Sequence, residues 1–145
     1  MLAIYSIFSE KGPSDLMKLV ILFLVVVSCS AFSQSQFEMN QTEFSKFKKA
    51  DSTLQAVYSE ILREYKTDTL FLAKLEIAQS KWIQLREADL AALYPDTTSG
   101  AYGSVNPMCQ AIFLTDRTQE RTEYLKQWVS KTEEGDVCAG TIGIK

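Results

Sequence analysis

The stretch Leu19 to Val27 (LVILFLVVV) sets nine apolar residues in succession directly behind Met17 and Lys18, and small residues (Ser28, Cys29, Ser30, Ala31, Ser33) follow at once. A basic start, an apolar centre of about 7 to 15 residues and a small-residue exit make a secretory leader. A bilayer span takes about 20 apolar residues, so this run is too short to remain as an anchor. Reading it instead as a core helix or strand of the finished fold leaves those flanks unexplained. Residues 1–16 put Glu10 and Asp15 where a leader should be basic, which points to Met17 as the true start and to 1–16 as a misassigned extension. Two exits compete. Val26-Val27-Ser28-Cys29 has the form of a lipobox, with Cys29 as the lipid-bearing residue, while cleavage after Ser33 uses Ala31 and Ser33 as the small-residue pair. The leader is assigned to 17–33, and 34–145 is expected to fold as one domain, freely secreted, periplasmic or attached to the outer membrane.

A segment of that size supports one core. The chain is 46% apolar and 23% charged, a balance found in globular domains and not in disordered tails. Its net charge of -3 offers no basic field to a phosphate backbone, which argues against a nucleic-acid partner. There is no His. That removes the usual general base, the Ser-His and Cys-His dyads and the commonest transition-metal ligand, so no enzyme, metal site or cofactor is expected. With Cys29 in the leader, Cys109 and Cys138 remain as an even pair, and an oxidising compartment favours a disulfide between them. A redox or metal role for the pair lacks both CxxC spacing and a third ligand.

The domain reads as three helices and one loop. Between Gln36 and Tyr65, apolar residues at Phe44, Phe47, Leu54, Val57, Ile61 and Tyr65 keep to one helical face, with Asn40 and Glu43 placed to cap its start. Thr67-Asp68-Thr69 interrupts the pattern, and a second stripe follows at Phe71, Leu75, Ala78, Trp82, Leu85 and Ala92. Pro95 ends that helix by Tyr94. Asp96 to Pro107 is dense in turn formers and predicts an ordered loop. A third helix is expected over Met108 to Lys131, with Ile112, Thr115, Thr118, Thr122, Leu125 and Trp128 inward, before an irregular tail. The predicted fold is all-α, an antiparallel three-helix arrangement whose C-terminal tail is tethered by the disulfide.

Four groups of residues are candidates for function. Arg86, Asp89 and Arg121 form an expected inward polar contact between the second and third helices, an ion pair fixing register in preference to an acid-base device. Trp82 and Trp128 fit core packing better than interface anchoring. Glu133-Glu134-Gly135-Asp136 is an acidic cluster that suits a solvated tail or a cationic partner. Tyr94, Tyr102, Val105 and Met108 surround the polar loop and make the best candidate binding surface, or else pack the loop onto the helices.

Ala78-Gln79-Ser80-Lys81-Trp82, Arg86-Glu87-Ala88, Gly103-Ser104 and Thr118-Gln119-Glu120-Arg121-Thr122 through Leu125 follow one another in the order of a known pattern. In these residues, across roughly Ala50 to Trp128, the chain resembles the lysozyme inhibitor LprI-like N-terminal domain family of small exported bacterial helical proteins. That resemblance implies an exported helical domain with a protein partner, either lysozyme or an envelope protein. Many members carry Cys four residues after the motif Arg and again before the Thr-Arg motif, where this chain has Leu90 and the Phe113 neighbourhood. A staple joining Cys109 to Cys138 would then close the tail and not the loop. The expected function is a non-enzymatic binding domain that inhibits a cell-wall hydrolase of the lysozyme type. The runner-up is an envelope structural or adaptor protein, and a hydrolase built on Asp89 is third. Contact with a membrane is expected only through a lipid anchor at Cys29.

Overall fold

A computed structural model describes residues 15–130 and 138–143, with 15–34 as backbone only. It contains three helices: α1 (Asp15–Glu64), α2 (Thr69–Leu93) and α3 (Asn106–Lys126). There is no strand among the described residues. The acidic cluster at 133–136 lies outside them, whereas α3 ends at Lys126, short of the expected Lys131, because the chain turns at 127–129. The chain divides into two compact units, Met1–Phe37 and Glu38–Lys145, and the second carries the core. No helix of the described residues is long and apolar enough to cross a membrane.

α1 does not begin at a cap near Asn40, as its sequence suggested. Neither Gly nor Pro occurs between Pro13 and Pro95, so nothing breaks the helix after the apolar run. Asn40 is consequently a mid-helix residue, and its Nδ2 donates to the Ser104 carbonyl at 3.1 Å. The break before α2 is as expected: Asp68 caps it, accepting from the Phe71 N–H at 2.9 Å. Tyr94 ends α2 ahead of Pro95, and Pro107 sits in the first turn of α3, where a missing N–H costs nothing.

Consecutive helices run antiparallel. Tyr65 at the end of α1 meets Phe71 at the start of α2 with ring centroids 4.8 Å apart, and on α2 and α3 Gln79 meets Arg121 while Arg86 meets Thr118. Leu54, Val57, Ile61 and Tyr65 of α1 form the core with Leu75, Leu125 and Trp128, and Phe71, Leu72, Trp82 and Val129 close around it. Ala111, Thr115, Thr118 and Thr122 make the buried face of α3 upstream of Leu125. Small side chains let its neighbours approach closely, and Thr115 and Thr122 satisfy their hydroxyls within the helix, donating to the Ala111 and Thr118 carbonyls at 2.7 and 2.8 Å.

The inward face of α2 differs from the expected one. Ala78, Leu85 and Ala92 are exposed, as is Ile112 on α3, whereas Leu75, Gln79, Trp82, Arg86 and Leu90 turn inward. α2 carries apolar residues on every side, Leu70, Ile77 and Leu85 among those on its outside, so periodicity of apolar residues does not single out the buried stripe.

No disulfide is found among the described residues, so the expected tether of the tail has no support in the structure. Cys109 and Cys138 are not joined to each other. The tail is fixed instead at the far end of α3: Tyr65 Oη lies 3.1 Å from the carbonyls of Trp128 and Thr141 and accepts from the Gly143 N–H at 3.0 Å. Trp128 Nε1 donates to Thr141 Oγ1 at 3.1 Å. Cys109 is in the first turn of α3, about 28 Å along the axis from Trp128, while Cys138 stands three residues before Thr141, in a turn. A disulfide needs Cα atoms within about 7 Å, so bridging the pair would pull the tail off its anchorage.

Candidate functional site

The loop between α2 and α3 is organised by its own side chains. Asp96 Oδ1 accepts from the Thr98 N–H at 2.8 Å, and the Asp96 N–H donates to Tyr102 Oη at 3.0 Å. The side-chain and then the backbone hydrogen bond from Thr98 hold the Asp96 carboxyl below its ordinary value. Tyr102 stands edge-on to Tyr94, with centroids 5.3 Å apart and planes at 77°. Gly100 and Gly103, at φ of 83° and 71°, supply the left-handed positions at which the chain reverses into successive turns. The bond from Asn40 to Ser104 then ties the loop to α1.

These constraints shape a cleft of about 270 Å³ lined by Tyr94, Asp96, Tyr102, Asn106 and Gln110. Inside it, Asn106 Oδ1 is buried and accepts no hydrogen bond among the described residues. Of the four surface candidates, Tyr102 and Val105 are exposed by 38% and 41%, while Tyr94 and Met108 are half-buried behind them. The side chain of Cys29, the residue of the lipobox scheme, lies outside the described residues.

A second polar cluster joins α2 to α3, with a different membership from the expected triad. Asp89 is exposed. The carboxylate that faces Arg86 from another helix is Asp51 of α1, 3.9 Å from Nη1, and the same Nη1 donates to Thr118 Oγ1 at 3.0 Å. Glu87 takes Nε and Nη2 at 3.1 and 2.8 Å. Arg121 Nε donates to the buried Gln79 Oε1 at 3.0 Å. Both guanidiniums lie over the Trp82 ring, 5.0 Å away for Arg86 and 5.7 Å for Arg121, and Arg86 also covers Phe47. Burial lowers the Arg121 pKa, and Tyr124 and Tyr58 oppose that shift. Burial, then Glu76, raises that of Tyr58. Sequence reasoning missed Gln79, Thr118 and Asp51. The spacing of Gln79, Trp82 and Arg86 along one helical face was the available signal.

The profile of the family described as lysozyme inhibitor LprI matches residues 29–125, which takes in most of α1, all of α2, the loop and nearly all of α3. The chain belongs to the lysozyme inhibitor LprI family. No curated protein and no solved structure matches it. A family of inhibitors speaks for protein binding and against enzymatic chemistry. Gln79, Trp82, Arg86, Thr118, Arg121, Thr122 and Leu125, on which the resemblance to the LprI family largely rests, lie in the contact of α2 with α3 or in the core beside it. In this member those motif residues hold the scaffold together.

Proposed function

We propose that the chain is an exported, non-enzymatic binding domain that inhibits lysozyme-type cell-wall hydrolases, with Tyr102 and Val105 of the α2–α3 loop as its contact residues. Membership of the LprI family is the observation that carries this reading, since the matched residues include the whole loop. The geometry of the loop supports it. A segment already fixed by the Asp96 turn, the tyrosine pair and the strap from Asn40 loses little entropy on docking. An exposed tyrosine beside an exposed valine, rimmed by polar residues, also has the make-up of an interface centre. The net charge of -3 favours encounter with a cationic hydrolase, though only mildly. Export follows from the leader at 17–33, with Cys29 the point of attachment if the lipobox is used.

A two-component assay tests this directly. The purified chain should lower the rate at which lysozyme clears a cell-wall suspension, in proportion to the amount added. Tyr102→Ala should weaken inhibition by about tenfold or more, and Val105→Ala, which spares the contacts of Tyr102 with Asp96 and Tyr94, should weaken it without changing the melting temperature. A chain that leaves the rate untouched and co-purifies with an envelope protein would overturn inhibition in favour of an adaptor role.

A further inference from the structure

The cleft of about 270 Å³ at the α2–α3 loop has a sign as well as a shape. Asp96 is the only charged residue that lines it, and it is exposed to solvent. Asn106 Oδ1 is buried without a donor among the described residues, so the negative end of its amide dipole goes uncompensated and adds to the potential of the carboxylate. The turns of the loop also consume its backbone donors. The Asp96 and Thr98 N–H groups go to Tyr102 Oη and Asp96 Oδ1, and those of Ala101, Gly103 and Asn106 donate to loop carbonyls at 3.1, 3.0 and 3.3 Å. An anion entering the cleft would meet a carboxylate and spent donors, whereas a cation meets its complement.

The walls narrow the kind of cation. Tyr94 and Tyr102 both line the cleft, and Tyr102 is 38% exposed, so aromatic surface lies beside the carboxylate. A hard metal ion takes six or more oxygen ligands, and one carboxylate between two phenol rings suits an organic cation better. The volume falls below the range of about 300 to 1,000 Å³ that drug-sized ligands occupy, which leaves room for one side chain. A guanidinium is flat and weakly hydrated and stacks on aromatic rings more readily than an ammonium does. We propose that the cleft receives an arginine side chain of the protein partner, its guanidinium paired with the Asp96 carboxylate and laid against the tyrosine pair. The proposal rests on the reading of this loop as the contact with a cell-wall hydrolase and names the group that the contact grips.

The test is a titration of the full chain, with no lysozyme present, followed by backbone amide shifts. The probe is N-acetyl-arginine amide, compared with N-acetyl-citrulline amide, its neutral isostere. The arginine compound should shift the amides of Thr98, Ala101 and Gly103 to saturation, and added salt should weaken its binding. Citrulline should bind about fivefold less well or worse. Asp96→Asn keeps an acceptor for the Thr98 N–H and so keeps the turn, and it should bring arginine down to the citrulline level. Equal binding of the two compounds by the unaltered chain, shifts centred outside the loop, or unchanged arginine affinity in Asp96→Asn would overturn the proposal. The two readings fail separately: a chain that takes arginine here and leaves lysozyme active loses only inhibition, while an inhibitor whose cleft ignores arginine loses only this inference.

Discussion

Arg86 is the residue most tightly bound into the fold by polar means. Its side chain is only 10% exposed, and it joins Thr118 of α3 and Asp51 of α1 while covering two aromatic rings. Arg86→Ala should therefore destabilise the protein by about 1 to 3 kcal/mol in a urea melt, whereas Asp89→Ala should stay within about 0.5 kcal/mol. Arg86 and Arg121 enter the expected inward contact only as partners for Asp89, yet Arg86 stands four residues after Trp82 on α2 and Arg121 three after the buried Thr118 on α3, spacings that turn both inward without Asp89. Asp89 was misread because i+3 spacing from Arg86 says nothing about which face of an evenly apolar helix is buried. At the loop, Asp96 makes the pH behaviour predictable. Its folded pKa is depressed below 3.8, so the order that it confers is complete above that value and is lost as pH falls through the folded one. The Thr98 amide shift should titrate with a midpoint below 3.8, and Asp96→Asn should abolish that titration.

α3 shows how an element can be legible in outline and opaque in detail. Its inward threonines were visible in the sequence, yet their two roles were not, because a hydroxyl that bonds its own helix and one that serves a neighbour share the same spacing. Thr118 is fully buried and accepts from Arg86, so Thr118→Val removes the acceptor while keeping the shape. A cost of about 1 to 3 kcal/mol is expected. Thr122 bonds only within α3, and Thr122→Val should cost less than about 1 kcal/mol by the same melt. For α1 the sequence told the face but not the start, since a cap-forming residue stops nothing where no Gly or Pro precedes it. The α2–α3 loop was the most readable element, its Gly and Pro positions being demanded by the turns themselves.

At the scale of the whole molecule, the tail closes the end of the bundle through Tyr65 rather than through cysteine chemistry. Pairing by cysteine count could not foresee this, because the competing anchorage depends on one phenol 76 residues away from Thr141 in sequence. Tyr65→Phe should lower stability by about 1 to 3 kcal/mol, since the Gly143 N–H and two carbonyls lose their shared partner. The placement of the two tryptophans also gives the molecule built-in optical reporters. Trp82 lies between the two guanidiniums that join α2 to α3, and Trp128 lies under the tail. With Trp128→Phe the remaining emission follows the helix junction, and with Trp82→Phe it follows the docked tail. Coincident denaturation curves would define one cooperative unit, while an earlier Trp128 transition would make the tail a separately melting foldon, able to open while the α2–α3 loop stays in place.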